Sequence, residues 1–463
     1  MEINSSNIKQ GNTFYVTFIC IIAALGGLLF GYDTAVIADA IGFLTQKFGL
    51  SPTMKGWAAS CILIGCIAGV IIAGNFSDKL GRKRTLILAG ILFFISSTGS
   101  ALSQTFWVFA LFRIIAGIAV GVASLASPVY IAEVAPAQIR GRMVSVNQLA
   151  IVGGMLVTYF VNYFIAQGKP EQWNVETGWR WMFGIGVFPS VILLTLLLKA
   201  PESPRWLTKK GNEQEAYQIL AKIDGTDYAR IELDSIKSAI AIEEDSIKTL
   251  LKPGLFRVLV IAVLLAILQQ VTGINVFLYF APEIFKQLGS HTDTAMLQTI
   301  VVGLVNVIFT IVAIGTVDKI GRKPLMMIGA AGMGICLLAM GLSAQLQRQP
   351  VWMLVFILGY IACFALSVGP VTWVILSEIF PTSIRGRAIG IATVFLWGAD
   401  FLVTQTYPMI DSNLWLIDKF HHAFPFYLYF LMCLVLILVM VYLVPETKGK
   451  TLEEIETMWL KRK

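Results

Sequence analysis

Apolar residues along this chain gather in long blocks almost free of charge, each closed by a small polar cluster. Twelve blocks can be counted, running approximately over residues 14–30, 57–76, 86–102, 107–131, 144–166, 182–198, 255–280, 296–316, 325–344, 351–376, 388–409 and 426–444. A bilayer core about 30 Å thick is crossed by about 20 apolar helical residues, so each block predicts a membrane-spanning helix. The first could pass for a signal peptide, but its run is too long and no small-residue cleavage site follows, so it is read as a retained helix.

The longest polar stretch, 199–254, falls between the sixth and seventh blocks. It divides the chain into a six-helix half (1–198), a cytoplasmic linker of short amphipathic helices (199–254), a second six-helix half (255–444) and a cytoplasmic tail (445–463). The two halves are copies. Asp78-Lys-Leu-Gly-Arg-Lys83 recurs as Asp318-Lys-Ile-Gly-Arg-Lys323, and Glu133, Pro136 and Arg140-Gly-Arg142 recur as Glu378, Pro381 and Arg385-Gly-Arg387. Pro201-Glu-Ser-Pro and Pro445-Glu-Thr-Lys close the two copies. An offset of six helices is even, so both copies keep one membrane orientation and the repeat is parallel, the architecture of a carrier that rocks two halves about a midplane site. The fold class is therefore an all-α membrane protein of twelve helices in two parallel repeats.

Composition agrees: of 463 residues, 57% are hydrophobic and 14% charged, far from the soluble norm. The net charge of +7 raises nucleic acid as a partner, and the placement of the charges excludes it. With both termini in the cytoplasm, 26 of the 35 Lys and Arg fall in inner segments and 7 in outer loops, the positive-inside pattern. The six cysteines sit inside apolar blocks, where a thiol behaves as a small hydrophobe, and neither a metal nor a disulfide is expected.

An ionised group near the bilayer centre costs about 2.5 to 3.5 kcal/mol on insertion scales, so each one present asks for a reason. Asp33, read at the end of the first helix, and Arg113, in the fourth, are each other's most plausible partner. A carboxylate that can lose its Arg and take up a proton suits proton coupling, with a static ion pair as the competing account. The seventh helix carries Gln269, Gln270, Thr272 and Asn275, whose neutral donors and acceptors suit sugar hydroxyls, around Gly273, which can let the helix break; interhelical packing is the alternative. Gln148, Asn306, Trp373 and Trp397 add amides and indole faces of the kind a sugar site mixes. Asp400 is open between facing a watery cavity, remaining protonated, and titrating as a second group. At the repeated loops, Asp78, Arg82, Glu133 and Arg142, with their copies Asp318, Arg322, Glu378 and Arg387, are expected to form ion pairs that hold the cytoplasmic side shut.

With these motifs the chain resembles, over essentially its whole length, the sugar porter family of the major facilitator superfamily, and within it the bacterial D-xylose–proton symporters. The likeness rests on Gly26-Gly-Leu-Leu-Phe-Gly-Tyr-Asp33, the two Gly-Arg-Lys loops, Pro128 to Arg142, Pro201 to Arg205, Gln269-Gln-Val-Thr-Gly-Ile-Asn275, Gly369 to Arg387 and Pro445 to Lys450. The resemblance implies sugar contacts at Phe30, Gln148, Gln269, Gln270, Asn275, Asn306, Gly369, Trp373 and Trp397, and proton coupling at Asp33 and Arg113. Passive facilitators of the family have an uncharged residue where Asp33 stands, which favours symport over a facilitative uniporter. The chain departs from the xylose pattern at Met155 and Leu396, where Gln is usual, at Phe280 for Tyr, at Gly186 for a Glu implicated in coupling, and at Asp400.

The expected function is proton-coupled symport of a monosaccharide in a bacterial inner membrane, with D-xylose first and glucose, galactose or arabinose behind it. The expected partners are that sugar, protons and lipid, with no cofactor, and the carrier is expected to work as a monomer. An enzyme fails on side chains: the three His fall in outer loops, and where a phosphate loop needs Lys and Ser or Thr the chain has Tyr32 and Asp33. A channel does not explain the duplication, and a sugar sensor of this fold usually carries a longer tail.

Overall fold

The computed structural model describes residues 13–241, 253–287, 289–346, 350–380, 384–446 and 448. Among these, twelve helices are long and apolar enough to cross a membrane. The first six are Phe14–Phe48, Pro52–Leu80, Arg82–Leu102, Phe106–Val134, Ala137–Ala166 and Glu171–Lys199. The second six are Gly254–Tyr279, Thr292–Val317, Arg322–Gln345, Trp352–Glu378, Gly386–Asp411 and Phe424–Tyr442. Every apolar block became a spanning helix, and most helices overrun their block at the polar ends.

The largest overrun corrects the sequence reading. The first helix continues to Phe48, so Asp33 lies in its middle rather than at its end. Asp33 and Asp39 interrupt the apolar run, yet both are buried, and a carboxylate that faces protein instead of lipid need not end a helix. The sixth span starts at Glu171 instead of near Met182 and carries a π turn at Asn174–Gly178.

Packing repeats with the sequence. The first span lies along the fifth, the third against the sixth and the second along the fourth; six spans on, the seventh lies along the eleventh, the ninth against the twelfth and the eighth against the tenth. Two seams join the halves, the second span against the eleventh and the fifth against the eighth. In the linker, helices Pro204–Lys209 and Glu213–Ala241, the latter bent at Asp224 and Gly225, fold against the first half. Trp206 Nε1 donates to the Asp78 carbonyl at 3.0 Å, and Arg140 reaches Glu232 at 3.8 Å.

Candidate substrate and coupling site

The seventh span breaks where the sequence permits it. Gly273 has φ +94°, a left-handed conformation that glycine adopts without strain, and a Cβ there would enter the Tyr429 ring. Beyond the break a short helix, Ile274–Tyr279, resumes, and the Tyr360 hydroxyl takes up the freed Thr272 carbonyl at 2.9 Å. Around this break Asn275 Nδ2 donates to Gln270 Oε1 at 2.9 Å. Gln269 Nε2 donates to the carbonyls of Val368 and Gly369 at 3.3 and 2.9 Å, just where the tenth span loosens into a π turn at Phe364–Val368. Such single-turn widenings frequently mark functional sites.

Two polar atoms in this cluster are left over. Gln269 Oε1 and Trp397 Nε1 are buried and have no hydrogen-bond partner among the described residues. A buried polar group left unpaired costs about 1 to 3 kcal/mol, so both atoms are set to receive a ligand. Across the midline Phe30 of the first half meets Trp397 of the second, ring centroids 5.7 Å apart. Asn306 is buried on the eighth span, Gln148 is half-buried on the fifth, which packs against it, and Trp373 on the tenth is the most open at 38% exposed.

One turn past Phe30, Asp33 faces Arg113 with Nη1 to Oδ1 at 3.5 Å. The contact is loose: Asp33 Oδ2 and all three Arg113 nitrogens form no hydrogen bond among the described residues, although Arg113 is fully buried. The guanidinium also lies 5.3 Å from the Phe183 ring centroid, a cation–π contact from the sixth span. The arrangement places an ion pair in apolar surroundings that neither partner saturates.

The family model for sugar (and other) transporters matches residues 19–459. The chain belongs to the sugar transporter family. It is 46% identical to the arabinose-proton symporter of Bacillus subtilis (strain 168) over 100% of this chain and 98% of that one. It is 45% identical to the D-xylose-proton symporter of Escherichia coli (strain K12), covering 97% of each. Among solved structures it is similar to the proton:xylose symporter XylE bound to 6-bromo-6-deoxy-D-glucose, with a TM-score of 0.83 and 45% identity over 97% of this chain and 100% of that one. The family and fold read from the motifs are borne out.

In this sugar transporter the repeated loops share one geometry. Gly81 and Gly321 turn with φ of +98° and +103°. Glu202 accepts from the backbone N–H of Arg82 and Lys83 at 2.9 and 3.0 Å, and Glu446 does the same for Arg322 and Lys323 at 3.2 and 2.9 Å. Each carboxylate caps the start of a spanning helix, a role the sequence reading missed although Pro-Glu recurred in both copies. Arg82 donates to Glu133 at 3.0 Å and pairs with Asp78 at 3.2 Å, and Arg322 pairs with Glu378 at 2.9 Å. These pairs fasten helix ends inside each half. Arg142 is exposed, Arg387 is half-buried, and the side chain of Asp318 lies outside the described residues.

The opposite end holds contacts that the sequence reading did not anticipate. Lys55 of the second span pairs with Glu283 of the second half at 2.7 Å, and Lys286 stands 3.7 Å from the same carboxylate. Ser60 donates to Gln405 Oε1 at 2.8 Å, while Gln405 Nε2 donates to the Thr53 carbonyl at 3.0 Å. Nearby, buried Asp39 accepts from Asn162 Nδ2 at 2.9 Å. Lys55–Glu283 and the Gln405 contacts join the halves, which fastens this end together.

Proposed function

We propose that this sugar transporter is a symporter that moves a monosaccharide together with protons by alternating access, without changing the sugar chemically. D-xylose is the first substrate assigned, with arabinose, glucose and galactose following; the relatives named above are an arabinose-proton and a D-xylose-proton symporter. The observation that carries coupling is the buried, unsaturated Asp33–Arg113 pair one helical turn from the Phe30–Trp397 contact. A proton on Asp33 removes the charge that Arg113 compensates, so protonation and the arrangement of the first and fourth spans are linked. Gln148, Gln269, Gln270, Asn275 and Asn306 supply donors and acceptors, Gly369 its backbone, and Phe30, Trp373 and Trp397 apolar faces for the ring.

The 26 to 7 distribution of basic residues supports a bacterial cytoplasmic membrane placement with both termini and the Gly-Arg-Lys loops inside. In that orientation the fastened end is the outer one. The halves, 1–198 and 255–444, would move as bodies along their two seams as a monomer, the intra-half ion pairs keeping each half stiff while the gate opens and shuts.

Uptake of labelled xylose, arabinose, glucose and galactose into proteoliposomes tests this reading. One of them accumulates above its external concentration when the inside is alkaline and only equilibrates without the gradient. If none enters faster than into empty liposomes, the sugar assignment goes.

The outer latch gives a separate prediction. Glu283→Gln removes the charge that Lys55 and Lys286 share, and an inter-half pair that is partly exposed is worth about 1 kcal/mol or less, so the outward-open population rises by up to about fivefold. A thiol reagent applied to a single cysteine placed at Thr45, which lines an outer cavity of about 200 Å³ beside Lys55 and Glu283, reacts correspondingly faster. Equal labelling rates with and without Glu283 would show that the latch holds nothing shut.

A further inference from the structure

The carboxylate of Asp400 has no assigned task. It lies in the middle of the eleventh span, 1% exposed. Thr404, one turn further on, donates to Oδ1 at 3.0 Å, and the Asn275 amide beyond the helix-seven break lies beside the carboxylate. Oδ2 has no partner among the described residues. No cation stands within ion-pair distance among the described residues. Cys66 of the second span and Tyr279 of the seventh lie near enough to feel its charge, and Cys66 also feels Arg113 and Asp33.

Two relations place this free oxygen at the substrate cluster. Asp400 follows Trp397 by three residues and faces Asn275, so it adjoins one aromatic and one amide of the candidate site. It also shares a helix face with Leu396, four residues earlier, which is apolar and buried. The eleventh span therefore presents no polar side chain at 396 and an acceptor one turn outward at 400. A buried carboxylate oxygen without a donor is costly, and a sugar hydroxyl is the neutral donor that fits it.

Resting on the symport reading above, we infer that Asp400 is a sugar-contacting residue whose Oδ2 accepts one particular hydroxyl of the bound monosaccharide and so sets which sugar is preferred. While the carboxylate is ionised the hydrogen bond is charge-assisted, and the loss of that one hydroxyl then weakens binding by about tenfold to a hundredfold. A neutral donor group elsewhere on the sugar is indifferent to Asp400. The residue thus contributes affinity for a sugar that carries that hydroxyl and, by the same factor, selectivity against one that lacks it.

The test is a cycle between residue and ligand. Equilibrium binding to purified full-length protein is measured for whichever of xylose, arabinose, glucose and galactose the wild type holds best, and for each monodeoxy analogue of it. The wild type loses at least tenfold with one analogue. Asp400→Leu binds the parent sugar weakly and no longer discriminates against that analogue, while Asp400→Asn, which keeps the shape and guards against misfolding, discriminates less than the wild type. If the analogues keep the same ranking and ratios in Asp400→Asn and Asp400→Leu as in the wild type, Asp400 touches no sugar hydroxyl. A uniform loss across all analogues would likewise overturn the contact and leave Asp400 as a support for Asn275. Failure of the wild type to bind any of the four sugars removes the monosaccharide reading itself.

Discussion

Asp33→Asn is expected to abolish accumulation driven by a proton gradient while leaving sugar exchange intact. Asparagine matches the shape of a protonated aspartate but cannot release or take up a proton, so the variant is held permanently in the uncharged form. Arg113 then keeps a polar neighbour at the 3.5 Å contact and loses the one charge it compensates. Steady-state sugar inside proteoliposomes falls from a concentrative ratio to equality, and counterflow of labelled for unlabelled sugar stays within about tenfold of wild type, about 1.4 kcal/mol, because the variant holds the uncharged form that the wild type itself passes through when Asp33 is protonated. Arg113→Ala behaves differently. It leaves Asp33 as a buried carboxylate with no cation, a change that costs about 3 to 5 kcal/mol, so it lowers the yield of folded protein before any transport is measured. Accumulation by Asp33→Asn at the wild-type ratio would end the coupling assignment.

What the sequence made legible follows from contrast. Asp33, Arg113 and the cluster from Gln269 to Asn275 stood out because polar groups in an apolar block are few, and the break at Gly273 was visible because glycine there is flanked by amides. The extent of the first helix was hidden for the same reason: two aspartates looked like the end of a span, whereas they turn inward from it. Lys55 and Glu283 were not separable from loop charges, since their meaning lies in a 2.7 Å contact between residues far apart in the chain. Glu202 and Glu446 were seen to recur, but what recurs is a pair of backbone hydrogen bonds, which side-chain identity does not display. The π turn before Gly369 belongs to the same class, a backbone widening with no compositional mark.

The crossing of the second and fourth spans is the point where a single methyl group should do most damage. Gly65 and Gly69 on one helix face Gly117 and Gly121 on the other, each pair spaced by four residues so that both lie on one side of their helix. A Cβ on Gly117 would sit inside the Ile62 carbonyl oxygen, and one on Gly65 inside that of Ile114. The obstacle is backbone, which cannot swing aside as a side chain does. Gly117→Val therefore forces the two helices apart, at a cost above the about 1 to 3 kcal/mol usual for overpacking, and lowers the ratio of folded to unfolded protein by more than about a hundredfold. The damage reaches function in any molecule that survives, because Arg113 lies one turn before Gly117 on the same helix face and the second span forms the seam with the eleventh. Gly153→Ala on the fifth span is the matched control: a Cβ there meets nothing within 4 Å, and alanine favours a helix interior by about 0.5 to 1 kcal/mol. Melting temperatures in detergent should separate the two variants, Gly117→Val far below wild type and Gly153→Ala at or above it. If Gly117→Val melts with the wild type, the helices are not held at backbone contact, and the rigid coupling of Arg113 to the seam does not rest on these glycines.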